Sequence, residues 1–151
     1  NLVTFFIQFV FFLAYLAFFA LRGSAVRITS WAFALPLLLV LMAGLGLGFG
    51  IIISALTTKY RDLQYLVGFG VGLWMYATPV IYPVSSIPEK WQWVANVNPV
   101  TPIIETFRVG FLGAGDASWA RLAYSFGFML VVMFIGVVIF NRVEKTFIDT
   151  V

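Results

Sequence analysis

Residues 57–83, TTKYRDLQYLVGFGVGLWMYATPVIYP, decide how the rest of the chain is read. The stretch opens on a charged turn, Lys59–Tyr60–Arg61–Asp62. An apolar run carrying Gly68, Gly70 and Gly72 follows, and two prolines, Pro79 and Pro83, close it around Val80-Ile81-Tyr82. In physical terms this is a loop at one membrane surface, a helix through the bilayer and a break near the opposite surface. Glycines let a second helix approach closely. Prolines remove backbone donors and stop a helix.

Composition places the whole chain in the same setting. Of 151 residues, 62% are hydrophobic and 10% charged, where a soluble domain carries roughly 25% charged residues. The net charge of +3 is scattered over short loops, so there is no nucleic-acid footprint. The absence of cysteine excludes disulfides and thiol chemistry, and the absence of histidine removes the commonest general base and metal ligand. The carboxylates Asp62, Glu89, Glu105, Asp116, Glu144 and Asp149 form no close pair in sequence, which argues against an intramembrane hydrolase and leaves no metal site to expect. No phosphate-binding P-loop is present. Gly68-x-Gly70-x-Gly72 lies inside an apolar run rather than in a strand-to-helix turn, so it is no dinucleotide fingerprint. The first residue, Asn1, stands close to an apolar run, and we expect further residues upstream.

The pattern predicts an all-α integral membrane domain over residues 1–151, with four spans at about 2–21, 32–56, 65–82 and 119–141. About 20 residues suffice to cross the ~30 Å hydrocarbon core. Gln8 and Tyr15 are polar handles in the first span, suited to interhelical hydrogen bonds. Trp31 is placed as an interfacial anchor. In the second span Gly44/Gly48 and Gly46/Gly50/Ser54 make two adjacent ridges of small residues for helix packing, and Gly68 with Gly72 repeats that spacing in the third. Pro36 falls in the first turns of its helix, where a missing donor does least harm. Trp74 and Tyr76 lie deep in the third span, either as packing residues or as the lining of a pathway. Lys59 and Arg61 are either membrane anchors or part of a docking loop over 57–64.

Residues 83–118 are too polar for a simple span and too apolar for a solvated loop. Ser86-Ile87-Pro88-Glu89 has the form of a capping box, opening a helix to about Asn96 that carries Trp91 and Trp93. Asn98-Pro99 opens a second helix, with Asn98 as cap. Its stripe is Ile103, Ile104, Phe107 and Phe111, and Glu105 and Arg108 are spaced to pair on its surface. Gly113-Ala114-Gly115 ends it. The two short helices are either re-entrant, covered by protein or a water-filled cavity, or flat on the membrane surface. Trp119 and Arg121 mark the next interface, and the tail, 142–151, is expected to be solvated. Orientation does not follow from charge: Lys59, Arg61, Arg142 and Lys145 stand against Arg22, Arg27, Lys90, Arg108 and Arg121.

Taken in order, S-A-L-x-x-K-Y-R-D-L (54–63), L-W-x-x-A-T-P-V-I-Y-P (73–83), I-P-E-K-W (87–91), N-P-x-T-x-I-I-E-x-F-R (98–108) and E-K-T-F-I-D (144–149) resemble the permease subunit of ABC-2 type polysaccharide exporters, which move O-antigen, capsule or teichoic-acid chains. The resemblance runs along the whole chain and implies the last four of six spans in a bacterial cytoplasmic (inner) membrane. It implies that 57–64 and the tail are cytoplasmic and 83–118 external. Thr58, Lys59, Tyr60, Arg61, Asp62 and Leu63 then resemble the loop that contacts a separate ATP-binding subunit, and the helices near 87–96 and 99–112 resemble gate helices, with Glu105 and Arg108 as a candidate gate ion pair. The implied assembly is a permease homodimer with two ATPase subunits. ATP and Mg²⁺ would sit on those subunits and no cofactor in this chain. A lipid-linked glycan offers apolar C–H faces on which aromatic rings can stack, and Phe69, Trp74, Tyr76, Tyr82, Trp91 and Trp93 are the candidates to line its path. Two other readings stay open: an ABC-2 exporter of drugs or lipids, and a structural or assembly membrane protein without transport.

Overall fold

All regular structure described by the computed structural model is helical. The described residues are 2–22, 28–80, 82 and 84–148, with backbone alone for Leu2, Lys59 and residues 145–148. In chain order the helices are α1 (Leu2–Leu21), α2 (Leu35–Lys59), α3 (Leu63–Ala77), α4 (Glu89–Val97), α5 (Thr101–Leu112) and α6 (Trp119–Ile148). Single 3₁₀ turns occupy Ser30–Ala34 and Val84–Ser86.

Among the described residues, three stretches are long and apolar enough to cross a membrane: Val3–Leu21, Ser30–Thr58 and Trp119–Glu144. The third expected span, over 65–82, is shorter than the apolar run suggests. α3 has 15 residues, a length of about 22 Å against a core of ~30 Å. It stops because Pro79 drives Thr78 out of the helical region, to φ −95°, ψ 124°. At the other end of the chain, α6 continues to Ile148, so most of the expected tail is helical.

α2 and α6 form the central pair. Leu38, Leu41 and Leu45 of α2 meet Leu122 and Met129 of α6, and Ile103 of α5 closes the cluster. Glycine sets how closely the two helices approach. A Cβ on Gly136 would lie 3.1 Å from the Gly48 carbonyl oxygen, and one on Gly48 would lie 3.0 Å from Val132 Cγ1 and 3.2 Å from the Met133 nitrogen. Gly44 faces the Met129 side chain. Between apolar helices in lipid, such contact is a main source of cohesion, because lipid tails are as apolar as the side chains they replace. The second expected ridge differs: Cβ atoms on Gly46 and Gly50 would meet nothing within 4 Å, and the same holds for Gly68, Gly70 and Gly72 of α3.

α5 docks through backbone on the 3₁₀ turn that precedes α2. Gly110 lies against Ala32, where a Cβ would come within 3.0 Å of the Ala32 nitrogen. Thr29 donates its N–H to the Gly110 carbonyl and its hydroxyl to the Val109 carbonyl, both at 2.9 Å. Phe9 and Phe12 of α1 reach Phe111 and Phe107 of α5.

Two helix starts differ from the sequence reading. Ser86 belongs to the 3₁₀ turn and Pro88 is the N-cap of α4, without a side-chain cap bond. Glu89 is therefore the first helical residue, two positions too early to reach back as the capping box requires. Asn98 closes α4, and its Oδ1 accepts the Val100 N–H at 3.0 Å in an Asx turn, so α5 begins at Thr101 rather than Pro99. Gly113 ends α5 as expected, left-handed at φ 67° with its N–H on the Val109 carbonyl.

Candidate functional site

The most unusual chemistry lies where α4, α5, the segment after α3 and the start of α6 converge. Glu105, on the covered face of α5, is only 3% exposed. A buried carboxylate needs a partner, and α6 supplies it. Arg121 Nη1 lies 3.4 Å from Glu105 Oε2, while its Nη2 donates to Asn96 Oδ1 at 2.8 Å. Arg121 also lies 3.5 Å from exposed Asp116. Glu105 Oε1 accepts the Val84 N–H at 3.4 Å.

The pairing of Glu105 with Arg108 is corrected by this geometry. Arg108 turns to the segment after α3, where its Nη2 donates to the carbonyls of Val80 at 2.9 Å and Tyr82 at 3.5 Å. Three residues of separation permit a pair on an exposed helix face. Here Glu105 is on the buried side and reaches α6, while Arg108 reaches the broken strand of chain left open by Pro79.

Further bonds tie the same elements together. Asn98 Nδ2 donates to Thr78 Oγ1 at 2.9 Å, Ser125 Oγ to the Pro99 carbonyl at 2.7 Å and the Tyr124 hydroxyl to the Val97 carbonyl at 2.7 Å. Tyr124 thus satisfies the last carbonyl of α4, and Ser125 a carbonyl of the link to α5. These bonds link the end of α3, α4, α5 and the head of α6. Sequence reasoning singled out Glu105 and Asn98 but missed Thr78, Asn96, Tyr124 and Ser125, and it assigned Arg121 to the membrane interface. The residue type was visible; the partners lie 16–27 positions away.

The aromatic candidates divide into two groups. Phe69 and Tyr76 are exposed on α3, which buries no residue. Trp74, partly exposed, meets Phe49 of α2 edge to face, with ring centroids 5.5 Å apart. Tyr82 donates its hydroxyl to the Tyr76 carbonyl at 2.8 Å, capping the end of α3. Trp91 and Trp93 stand exposed on α4.

The expected docking loop over 57–64 is a tight helical hairpin. Thr58 is in the last turn of α2, its hydroxyl on the Ser54 carbonyl at 2.8 Å, and Lys59 is the last helical residue. Leu63 begins α3. Tyr60, Arg61 and Asp62 alone form the connection, all three exposed, with the Leu63 N–H on the Tyr60 carbonyl at 3.1 Å. A three-residue link leaves little slack between α2 and α3. Among the described residues no cluster of three or more His, Cys, Asp or Glu could hold a metal ion.

The model of the ABC-2 type transporter family matches residues 1–112. The chain is similar to the O-antigen export system permease protein RfbA of Klebsiella pneumoniae, 30% identical over 138 residues, covering 91% of this chain and 51% of that protein. It is also similar to the inner membrane transport permease YadH of Escherichia coli K12, 30% identical over 105 residues, covering 70% of this chain and 40% of that protein. A Myxococcus xanthus RfbA is 32% identical over 62 residues, 40% of this chain and 24% of its own length. The chain thus spans about half the length, or less, of these relatives.

Proposed function

The chain belongs to the ABC-2 type transporter family, and from that premise we propose that it is membrane-spanning permease sequence of an ATP-driven exporter moving a lipid-linked polysaccharide across the bacterial inner membrane. The observation that carries this reading is the similarity to an O-antigen export permease over 91% of the chain. The unpartnered aromatic and glycine-bearing face of α3 supports it, since a glycan path needs rings that present flat faces without demanding one sugar sequence.

In this reading α3 is the third span. α4 and α5 are re-entrant gate helices at the external side. Thr101, Glu105 and Thr106 of α5 are buried against protein, which suits a helix covered at membrane depth better than one lying flat on the surface. Tyr60, Arg61 and Asp62 at the hairpin tip receive the push of a separate ATP-binding subunit on the cytoplasmic side. ATP and Mg²⁺ reside on that subunit. Two permease copies face each other across the α3 surfaces, placing Phe69 and Tyr76 along a shared path.

The test is export itself. A bacterium lacking its own glycan-export permease is given the full-length protein with its cognate ATPase. Surface glycan should be restored and the intracellular lipid-linked pool should fall. Restored resistance to drugs or altered lipid distribution, with the glycan still trapped inside, would move the substrate to the drug or lipid class.

A further inference from the structure

A groove of 420 Å³ runs between α1, α2 and α5, apart from the hairpin and the α3 face. Its walls are almost wholly apolar, including Phe9, Phe12, Leu39, Met42 and Ile104, with Gln8 and Arg108 as its polar members. Among the described residues, Arg108 is the only charged one on it, and no carboxylate lines it. Among the described residues, the guanidinium of Arg108 has no acid partner. Two backbone carbonyls hold its Nη2, while Nη1 is buried and makes no hydrogen bond.

We propose that this groove binds an anionic phospholipid of the bilayer, with an acyl chain along the apolar wall and the phosphate on Arg108. An arginine at membrane depth without a counter-ion is costly, and a phosphate at the Arg108 end of the groove would supply the missing negative charge. An apolar trough ending in one cation matches a lipid better than a soluble anion, which would leave the trough unfilled. Apart from Gln8 there is no neutral polar side chain on the groove to recognise sugars, which favours a simple phospholipid over a glycan carrier. The bound lipid would brace α5 against α1 and α2 from the side opposite the Glu105–Arg121 pair.

The full-length protein, purified in mild detergent, is titrated with phosphatidylglycerol and with phosphatidylcholine of the same acyl chains, and bound lipid is read by native mass spectrometry. Phosphatidylglycerol should bind about tenfold tighter, Arg108→Gln should abolish that preference, and Leu39→Trp, which fills the wall and keeps the cation, should weaken both lipids. Equal binding of the two lipids by the wild type, or a preference that survives Arg108→Gln, would overturn the proposal. So would displacement of the lipid by glycerol phosphate at matched concentration, which would make it a free-phosphate site. Disulfide cross-linking of Met42→Cys between two copies would overturn it as well, since the occupant would then be protein.

Discussion

Arg121, in the first turn of α6, lies 3.4 Å from the buried carboxylate of Glu105 on α5, and the same guanidinium holds Asn96 at the end of α4. One residue therefore fixes both short helices to a long one. Removing one member of a buried pair costs about 3–5 kcal/mol, because the other charge is left stranded. With the Arg121 side chain 34% exposed, water offsets part of that, and Arg121→Met should cost about 2–3 kcal/mol. Glu105→Gln keeps a hydrogen-bonding group and should cost less. Thermal unfolding of the two variants in detergent checks the order.

The close pair of α2 and α6 predicts a ranking among glycines. Gly136→Val and Gly48→Val should destabilise most, since each side chain would meet backbone of the opposing helix at 3.1–3.2 Å. Gly44→Ala should be milder, because the neighbour is the flexible side chain of Met129. Gly46→Ala should be neutral or gain up to about 1 kcal/mol from helix propensity. Melting temperatures of the four proteins give the comparison.

Asn98 makes two bonds with one side chain, to Thr78 and to the Val100 N–H. Asn98→Ala should cost about 2 kcal/mol, the sum of a lost turn bond and a buried hydroxyl with one partner fewer. Because Thr78 Oγ1 still donates to the Trp74 carbonyl at 2.9 Å, α3 should keep its end. Hydrogen exchange should quicken at Val100 and Thr101 before it quickens at Thr78.

Tyr76 and Trp74 separate stability from transport. The Tyr76 ring is exposed and accepts no load from the fold, whereas Trp74 packs on Phe49. Tyr76→Ala should leave melting unchanged and reduce export several-fold. Trp74→Ala should lower stability by about 0.5–1.5 kcal/mol as well as reduce export. Export at the wild-type rate by both variants would remove these rings from the path.

Much of the architecture was legible because its causes are local. Pro36 begins α2, Pro79 breaks the third apolar run and Gly113 ends α5, each through its own backbone restrictions. The Gly44/Gly48 ridge followed from a four-residue spacing. What was not legible depends on tertiary partners. Nothing near Gly110 announces that Ala32 will press on it, and nothing near Arg121 names the distant Glu105 as a partner beside the nearby Asp116. The capping box misled because Pro88, as N-cap at ψ 138°, sets the start of α4 two residues past Ser86. The shortness of α3 was hidden by apolar residues that continue past the proline.

The central claim is that an ATPase drives this permease through the hairpin tip at Tyr60–Asp62. The full-length protein should be purified from cells that also produce the cognate ATP-binding subunit, beside a variant with Arg61→Ala and Asp62→Ala, and ATP hydrolysis measured on both. The account predicts that an ATPase copurifies with the wild type and is lost, or uncoupled from glycan export, in the variant. Equal ATPase recovery and equal export from both proteins would contradict it, and an absence of any ATPase with the wild type would return the chain to a structural role in the membrane.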